Sequence, residues 1–304
     1  MTRRAHSAGF AAISAILIVA AVTGIGIYLV WQGTLATRQA ENIADARQAR
    51  QFIHVAGNSA MRLIAQDDPR VDHRGEAWAR GIPVAALDGA TATAYLTDEQ
   101  AKFNVNNLAD RNGASEADLA AFKRLLAKAG LPEALADAVL DWVDADDAVT
   151  APGGAEDAYY AAREQPYRTA NREVAEIGEL LLVKGFTGDH LRRLAPYITA
   201  LPGRTKVNVN SASAEMLAAL LPEVSLATAR AIAVARDKEP FGSSIDFARR
   251  LPATAAHVAG ELLDVRSDYF VVRGSVRAGR VNTGYHALVT REGPTLLSIT
   301  QDFG

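Results

Sequence analysis

The sequence contains no cysteine, and its aromatic content and net charge are both low. Of 304 residues, 7% are aromatic, and 32 Lys and Arg residues against 35 Asp and Glu residues give a formal net charge of -3. Without cysteine the chain has no disulfide, no thiolate zinc site and no thiol nucleophile. Without a basic excess, its net charge gives no support to general nucleic-acid binding. A hydrophobic fraction of 49% suffices for a folded core, and the length suits one large or two modest domains.

The sequence also lacks the common signatures of catalytic sites. The six His residues are too widely spaced for two of them to share one face of a zinc-binding helix. No Lys follows a Gly, so the lysine of a phosphate-binding loop is missing. Gly24 and Gly26 lie inside an apolar segment, where they favour helix packing over nucleotide binding. We therefore predict that the protein is not an enzyme.

An uncharged apolar run of 22 residues, 10–31, lies near the amino terminus. As a helix it is about 33 Å long, which is enough to cross a bilayer core of about 30 Å. Arg3 and Arg4 precede the run and favour a cytoplasmic start, with the bulk of the chain on the far side. A cleaved secretory signal has a shorter apolar core and a small-residue cleavage site. A plain membrane anchor and a prepilin-type anchor both fit the segment.

The Gly9-Phe10 pair at the start of this run resembles a class III, prepilin-type signal. The resemblance implies that a prepilin peptidase cuts after Gly9, that the new amine of Phe10 is methylated, and that the helix is retained. Most proteins of this type carry Glu at the fifth mature position, whereas this chain has Ser14 there. Ser14 removes a carboxylate that would be costly in lipid unless it were paired.

The rest of the pattern predicts an α+β fold, in which a long helix packs on an antiparallel, pilin-like sheet that is interrupted by a helical insertion. Apolar residues at helical spacing continue the first helix to about residue 66. Alternating β-formers at 77–105 and 269–300 predict two groups of strands, with a hairpin turn at Asp88-Gly89. Helices are predicted at 115–129, 133–143, 174–183, 187–194, 214–220, 226–236, 244–250 and 255–262. The predicted divisions are a leader at 1–9, a transmembrane and stalk helix at 10–66, sheet segments at 67–105 and 264–304, and an insertion at 106–263 with units at about 106–200 and 201–263.

An internal repeat lies within the insertion. The string Lys-Phe-Asn-Val-Asn-Asn-Leu at 102–108 matches Lys-Val-Asn-Val-Asn-Ser-Ala at 206–212, and helical patterns follow both. The Asn residues are predicted to cap helices and close turns by bonding to backbone groups. The second copy looks like a helix-hairpin-helix (SAM-like) module.

The charge of the two copies argues against DNA binding by this module. Residues 206–262 hold six basic and six acidic residues, and residues 102–157 hold five basic and eleven acidic residues. The hairpin at 222–225 has no Gly and contains Glu223. Since phosphate binding depends on a positive field, we predict a protein-interaction fold without nucleic acid as a partner. A membrane-anchored DNA receptor of the competence type remains the alternative.

The whole pattern resembles the minor pseudopilin K family of type II secretion (general secretion pathway protein K). The carrying strings are 141–147 (DWVDADD), 154–157 (GAED) with Tyr159 and Tyr160, 166–168 (PYR) with Asn171, 179–183 (ELLLV) and the NVN segment at 208–210. Members of that family also lack the fifth-position Glu. The resemblance implies a non-enzymatic subunit at the tip of the periplasmic pseudopilus of a Gram-negative bacterium, which acts in protein export across the outer membrane and in pseudopilus initiation and length control.

The same resemblance implies the partners and the location. The expected partners are the minor pseudopilins I and J in a tip complex, the major pseudopilin G, the minor pseudopilin H, the inner-membrane assembly platform and the prepilin peptidase. The expected location is the inner membrane, with one membrane span and with the bulk of the chain in the periplasm.

Acidic residues surround a Pro-Gly-Gly loop in the first copy. They are Asp144, Asp146, Asp147, Glu156 and Asp157. Carboxylate oxygens of this kind suit Ca²⁺, which takes six to eight oxygen ligands, although the spacing is not that of an EF-hand. The residues alone fit a solvated acidic loop equally well. The family resemblance implies calcium as the cofactor.

Overall fold

The computed structural model describes residues 3–81, 91–110, 113–279, 281–291 and 295–303, with side chains described in these ranges from Ala12 to Arg291 except at Val281. The helices are α1 (Arg3–Ala65), α2 (Glu116–Lys128), α3 (Ala134–Val143), α4 (Asp157–Ala161), α5 (Gly188–Leu194), α6 (Ala214–Leu220), α7 (Leu226–Lys238), α8 (Ser244–Ala248) and α9 (Ala253–Leu262). The strands are β1 (Thr91–Asp98), β2 (Phe103–Asn104), β3 (Ala109–Asp110), β4 (Gly113–Ala114), β5 (Ile198–Thr199), β6 (Val207–Asn208), β7 (Leu263–Asp264), β8 (Tyr269–Ala278), β9 (Val281–Thr290) and β10 (Thr295–Phe303). This combination confirms the predicted α+β class.

Helix α1 is continuous for 63 residues and confirms the predicted long helix. Its amino-terminal part carries large apolar side chains that face away from the rest of the chain; Ile16, for example, is 68% exposed. The helix contains an 18-residue window with a mean hydropathy of 2.5, of which none is buried within the protein. Such a surface needs a lipid or protein environment.

The carboxyl-terminal part of α1 packs on a four-stranded sheet with the order β1-β8-β9-β10. The pairs β1–β8, β8–β9 and β9–β10 are all antiparallel. The buried residues of α1 recur every three or four positions, as a helix packed by one face requires; they are Ala49, Phe52, Ile53, Ala56, Ala60 and Ile64. They meet alternate residues of the sheet, among them Leu96, Phe270 and Val272. Chain segments on either side of the insertion thus form one sheet.

The insertion has its own hydrophobic core, a single cluster of buried side chains drawn from residues between Phe103 and Val265. Two short parallel strand pairs tie the ends of its two copies: β2 pairs with β5, and β6 pairs with β7. Phe103 and Phe122 stack in the first copy with ring centroids 5.3 Å apart. Because one cluster includes side chains of both predicted units, the units share a core rather than packing separately.

Several local predictions were wrong. The segment predicted as a helix at 174–183 forms only a 3-10 helix at Ile177–Leu182, because Val174 is held through its N–H and C=O by the side chain of Asn106. Trp78 and Val105 were predicted to lie in strands. Trp78 instead lies in a 3-10 turn, where its ring packs on Phe270, and Val105 begins another 3-10 turn after the two-residue strand β2. Helix α4 was not predicted, since five residues are too few to show a helical period. The Asp88-Gly89 turn lies outside the described residues.

Candidate functional site

The acidic loop begins at the last turn of α3. Asp137 and Asp141 are fully buried in that helix and hold the loop by accepting hydrogen bonds. The N–H of Gly153 donates to Asp137 at 3.2 Å, and the N–H of Thr150 donates to Asp141 at 3.1 Å. A Cβ atom on Gly154 would lie 2.1 Å from the Asp141 carboxylate. Glycine is therefore required for the loop to approach α3 this closely.

Three of the five predicted ligands converge beyond this turn. One carboxylate oxygen from each of Asp144, Asp146 and Glu156 lies within 4.8 Å of the others, and we call these residues the loop cluster. Asp144 and Glu156 are buried, whereas Asp146 is exposed. Asp144 Oδ1 and both carboxylate oxygens of Glu156 are buried without a hydrogen-bond partner among the described residues. Buried acceptors without a donor are rare in native proteins and need an explanation.

The electrostatics of the loop cluster are those of several acids without a cation. Burial first, and then Asp146 and Asp141, raise the pKa of Asp144 to about 7. Burial first, and then Asp141 and Asp144, raise the pKa of Glu156 to about 7. The protein thus opposes ionisation of both buried carboxyls, so a bound cation would relieve the repulsion.

The other two predicted ligands do not share this arrangement. Asp157 accepts hydrogen bonds from the N–H and the hydroxyl of Thr169 at 3.0 and 2.8 Å, which lower its pKa. The carboxylate of Asp157 is thus bound to Thr169 and does not join the loop cluster. Asp147 is exposed and contributes to the field at Glu156. Sequence reasoning missed Asp141, which lies in α3 three residues before Asp144; only the structure shows that it faces the loop cluster.

The donor set of the loop cluster fits calcium. Two oxygens that bind one Ca²⁺ at about 2.4 Å are at most about 4.8 Å apart, and the oxygens of Asp144, Asp146 and Glu156 all lie within that distance of one another. All three ligands are hard carboxylate oxygens, two are anchored by burial, and the exposed side is open to water ligands.

A second acidic group lies where α1 meets the sheet. Asp67, Asp72 and Glu76 also offer oxygens within 4.8 Å of one another, and we call them the body cluster. Here the guanidinium of Arg291 bonds Asp72 and lies 3.6 Å from Asp67. The N–H of Ser267 donates to Asp72 at 2.7 Å. A built-in cation and backbone donors thus take the place that a metal would have.

The repeated Asn residues form structural anchors, which confirms the predicted bonds to backbone groups. In the first copy, Asn104 accepts from the N–H groups of Asn106 and Leu201 at 3.1 and 3.0 Å. Asn106 accepts from the N–H of Val174 at 2.8 Å and donates to its C=O at 3.0 Å. Both side chains are buried, and each amide group holds together backbone segments that are distant in the sequence.

The second copy repeats this bonding pattern. Asn208 accepts from the N–H of Asn210 at 2.9 Å. Asn210 accepts from the N–H of Phe241 at 2.9 Å and donates to its C=O at 3.0 Å. The difference between the copies is that Asn208 also donates to Asp98 at 2.9 Å and to the C=O of Asp72 at 3.1 Å. The second anchor therefore joins the insertion to the sheet and the loop below α1.

The hairpin between α6 and α7 presents an acid where a DNA-binding module would present backbone N–H groups. Glu223 is exposed at this turn with a positive φ of 61°. A carboxylate at that point repels a phosphate. Gly9 and Phe10 lie within the span of α1, and Ser14 is half-buried one turn further along.

Comparison with known proteins yields one consistent family. Two family models, both described as type II secretion system (T2SS), protein K, match residues 101–203 and 207–272. The boundary between them falls between the two copies of the repeat.

Relatives match over most of their length. The chain is 34% identical over 285 residues to type II secretion system protein K of Pseudomonas aeruginosa, which covers 89% of this chain and 85% of that one. It is 30% identical over 306 residues to the protein of the same name from Aeromonas hydrophila, covering 93% and 92% of the two chains. The fold also matches a chain of the crystal structure of the GspK-GspI-GspJ complex from enterotoxigenic Escherichia coli, with a TM-score of 0.73 and 21% identity over 88% of this chain and 99% of that chain.

Proposed function

Since the chain belongs to the type II secretion system protein K family, we propose that it is the minor pseudopilin that caps the tip of the pseudopilus. In that position it acts in protein export across the outer membrane and in the initiation and length control of the pseudopilus. The observation that carries the proposal is the joining of an exposed apolar helix, a pilin-like sheet and a large insertion in one chain.

Ser14 supports a place at the tip. In a prepilin-type filament, the fifth-position Glu of an incoming subunit pairs with the terminal amine of the subunit above it. The topmost subunit has no subunit above it and needs no such carboxylate, and Ser14 supplies none. A buried carboxylate without that partner would be unfavourable in lipid.

The shape of the chain supports the same place. The insertion has a core of its own and leaves the sheet through β1 and returns through β8. A domain of that size would hinder lateral packing within a filament, but it can lie above the last subunit. The minor pseudopilins I and J are the proposed neighbours, because the similar solved structure is that of a GspK-GspI-GspJ complex. The major pseudopilin G, the minor pseudopilin H, the assembly platform and the prepilin peptidase are further proposed partners.

The proposed location is the inner membrane, with residues 10–31 as the single span and with the bulk of the chain in the periplasm. The exposed apolar surface of α1 and the two arginines that precede it support this orientation.

The first test is the intact mass and the amino terminus of the chain extracted from its native membrane. We expect a chain that starts at N-methylated Phe10. A Gly9→Val variant should keep its leader, because the small residue before the cut is lost. An unprocessed wild-type chain that starts at Met1 would contradict prepilin processing.

Assembly is tested separately by co-purification of the tagged chain with the small prepilin-like proteins of the same cells. We expect the I and J proteins to be retained with it. Tight, salt-sensitive binding of duplex DNA together with no pseudopilin partner would instead favour the alternative of a DNA receptor.

We also propose that the loop cluster binds one Ca²⁺ through Asp144, Asp146 and Glu156. The unpartnered buried oxygens and their mutual repulsion support this site. When bound, the ion would supply positive charge that ties α3 to the start of α4. Calcium titration by calorimetry should show one ion per chain, with Mg²⁺ binding more weakly because it demands a tighter octahedral shell. Absence of saturable calcium binding would remove the site.

A further inference from the structure

A pocket of about 250 Å³ lies between the loop that follows α1 and the carboxyl-terminal end of α7. We call it the junction pocket. Its lining residues are His73, Arg74, Gly75, Asn210, Arg236 and Asp237. The first three belong to the segment that joins α1 to the sheet, and the other three belong to the second copy of the insertion. The pocket is thus at the boundary between the two cores.

Arg236 is a buried cation in this pocket. It is 3% exposed, and its Nη1 donates to the C=O of Val209. Its Nε is buried without a hydrogen-bond partner among the described residues. The nearest carboxylate is that of Asp237, whose Oδ1 lies 3.7 Å from Nε, which is too long for a hydrogen bond. Asp237 is itself 58% exposed, so water weakens this ion pair.

Arg74 brings a second guanidinium to the same place. Its Nη2 donates to the C=O of Ser211 at 2.5 Å. Both arginines therefore bond to carbonyls of the turn after Asn208, and a carbonyl carries no net charge that could neutralise them. Burial first, and then Arg74, lower the pKa of Arg236 to about 10. The two cations thus repel each other in a partly dehydrated site.

The other titratable groups at the pocket do not remove this excess. His73 Nε2 lies 3.6 Å from Glu76, and Glu76 accepts from the N–H of His73 at 2.9 Å and from Trp78 Nε1 at 2.6 Å. Glu76 is therefore engaged with its own turn. Asp237 remains as the one acid among the lining residues.

We propose that the junction pocket binds an oxyanion, such as a phosphate or a carboxylate group, between Arg74 and Arg236. Guanidinium groups match the geometry of these anions and bond to them with two parallel N–H donors. An anion would supply the charge that the two arginines lack and would relieve their repulsion. It would also be held by both the segment after α1 and the insertion, and so would fix the insertion on the pilin-like body.

The test uses the full-length chain in detergent, freed of divalent metals beforehand on an immobilised chelating resin, because a soluble chelator such as EDTA is itself a polycarboxylate. Thermal unfolding is followed at constant ionic strength while chloride is replaced by inorganic phosphate or by acetate. We expect a saturable rise of the melting temperature with at least one of the two oxyanions. A preference for phosphate points to free phosphate as the source, and a preference for acetate points to an acidic side chain of a partner protein.

Three variants separate the pocket from general screening. Arg74→Gln should weaken the apparent anion affinity by about tenfold or more, because it removes one of the two charged donors. Asp237→Asn should strengthen the affinity, because the competing carboxylate is removed. Arg70→Gln is the matched control: Arg70 lies in the same loop, outside the pocket lining, and its loss should leave the affinity unchanged.

The proposal is overturned if the oxyanions act no differently from chloride on the wild type. It is also overturned if Arg74→Gln responds to them like the wild type, or if Arg70→Gln loses the response as much as Arg74→Gln does. Neither result bears on the secretion function or on the loop cluster, which have their own tests. Arg74 is used for the decisive variant because it is not buried in the core, whereas loss of Arg236 would also remove a bond to Val209.

Discussion

The body cluster and the loop cluster contain the same kinds of groups but differ in how the charge of their carboxylates is compensated. Each brings three carboxylates within 4.8 Å, and each has at least one fully or nearly buried member. In the body cluster, Arg291 bonds to Asp72 and also donates to the C=O groups of Ile64 and Ser267 at 3.1 and 3.2 Å. In the loop cluster, the Coulomb partners of Glu156 are other acids.

This difference shows that an acidic cluster by itself does not define a metal site. The chain carries its own cation, Arg291, to the body cluster from the residue that follows β9, and this cation ties the sheet to the end of α1. Among the described residues no Lys or Arg forms an ion pair with the loop cluster, and the nearby Lys184 bonds instead to the C=O of Gly154 at 2.8 Å, so an ion from solution is the cation that fits. The first arrangement depends on folding alone, and the second depends on the concentration of an ion.

Removal of Arg291 should give the largest effect. Arg291→Met would leave the fully buried Asp72 without its cation, and we expect a loss of about 3 to 5 kcal/mol in the free energy of unfolding. Denaturant titration of the full-length chain in detergent measures this loss.

The control for this prediction is Arg70→Met. Arg70 also pairs with an acid, Asp68, but both side chains are exposed, so water screens the pair and the expected loss of stability is much smaller. Equal effects of the two variants would mean that the body cluster does not rely on its built-in cation.

The loop cluster should show the next largest effect, and only when calcium is present. At calcium concentrations about 100-fold above the dissociation constant, one bound ion stabilises the chain by about 2.7 kcal/mol. We expect Asp144→Asn combined with Glu156→Gln to abolish the calcium-dependent rise in melting temperature. Asp157→Asn is the matched control, because Thr169 already binds that carboxylate and the calcium response should persist. A calcium response retained by the double variant would place the ion elsewhere.

Loss of the hydrogen bond between Asn208 and Asp98 should reduce stability by a smaller amount. Asn208 donates to Asp98, a buried acid whose pKa burial raises to about 6 against the effect of Ser211, Ser267 and Asn208. Asn208→Ala removes a donor from this buried acid and should cost about 2 kcal/mol of stability. Asn282→Ala, on an exposed position of β9, should cost less than about 0.5 kcal/mol. Equal losses in the two variants would show that the anchor to Asp98 contributes nothing specific.

The smallest expected effect is a pH dependence that calcium removes. Asp144 and Glu156 have folded-state pKa values raised to about 7, so without calcium the folded chain keeps protons that the unfolded chain releases above about pH 4. Stability should therefore fall as pH rises towards 7, by at most about 1 kcal/mol for each of the two groups between pH 6 and 7.

Melting curves from pH 5 to 8 test this dependence. Calcium should flatten the fall, because a bound ion replaces the protons. Asp72, whose pKa burial also raises to about 7, titrates in the same range but should not respond to calcium. Asp98, whose pKa burial raises to about 6, also titrates there, so a fall that calcium leaves unchanged would assign the dependence to Asp72 and Asp98 instead.

The local part of the fold could be predicted from the sequence, because it depends on short-range patterns. Helical spacing predicted α2, α3, α6 and the end of α1 within one residue, whereas α1 begins at Arg3, seven residues before its predicted start. Alternation predicted β8, β9 and β10. The 174–183 segment failed because a side chain from a distant part of the chain, Asn106, determines its backbone. Apolar spacing carries no information about such a bond.

The candidate sites divide in the same way. Clustering of Asp and Glu in the sequence indicated the loop cluster, and three of the five predicted ligands converge there. The sequence could not show that Asp157 bonds to Thr169 or that Asp141 faces Asp144 and Glu156 from α3. The body cluster and the junction pocket were not predicted, since Asp72 meets Arg291 and Arg74 meets Arg236 only after distant segments pack together.

The sequence by itself determined the membrane-length apolar helix, the α+β class, the repeat and the family, because each depends on residue order along one stretch of chain. The tertiary structure alone decided which acids are neutralised by Arg291, which remain without a cation, and which arginines meet at the boundary between the two cores. The physical reason is that charge interactions depend on distance and burial. Both are set by how the insertion, the sheet and α1 pack, and not by the order of residues in the chain.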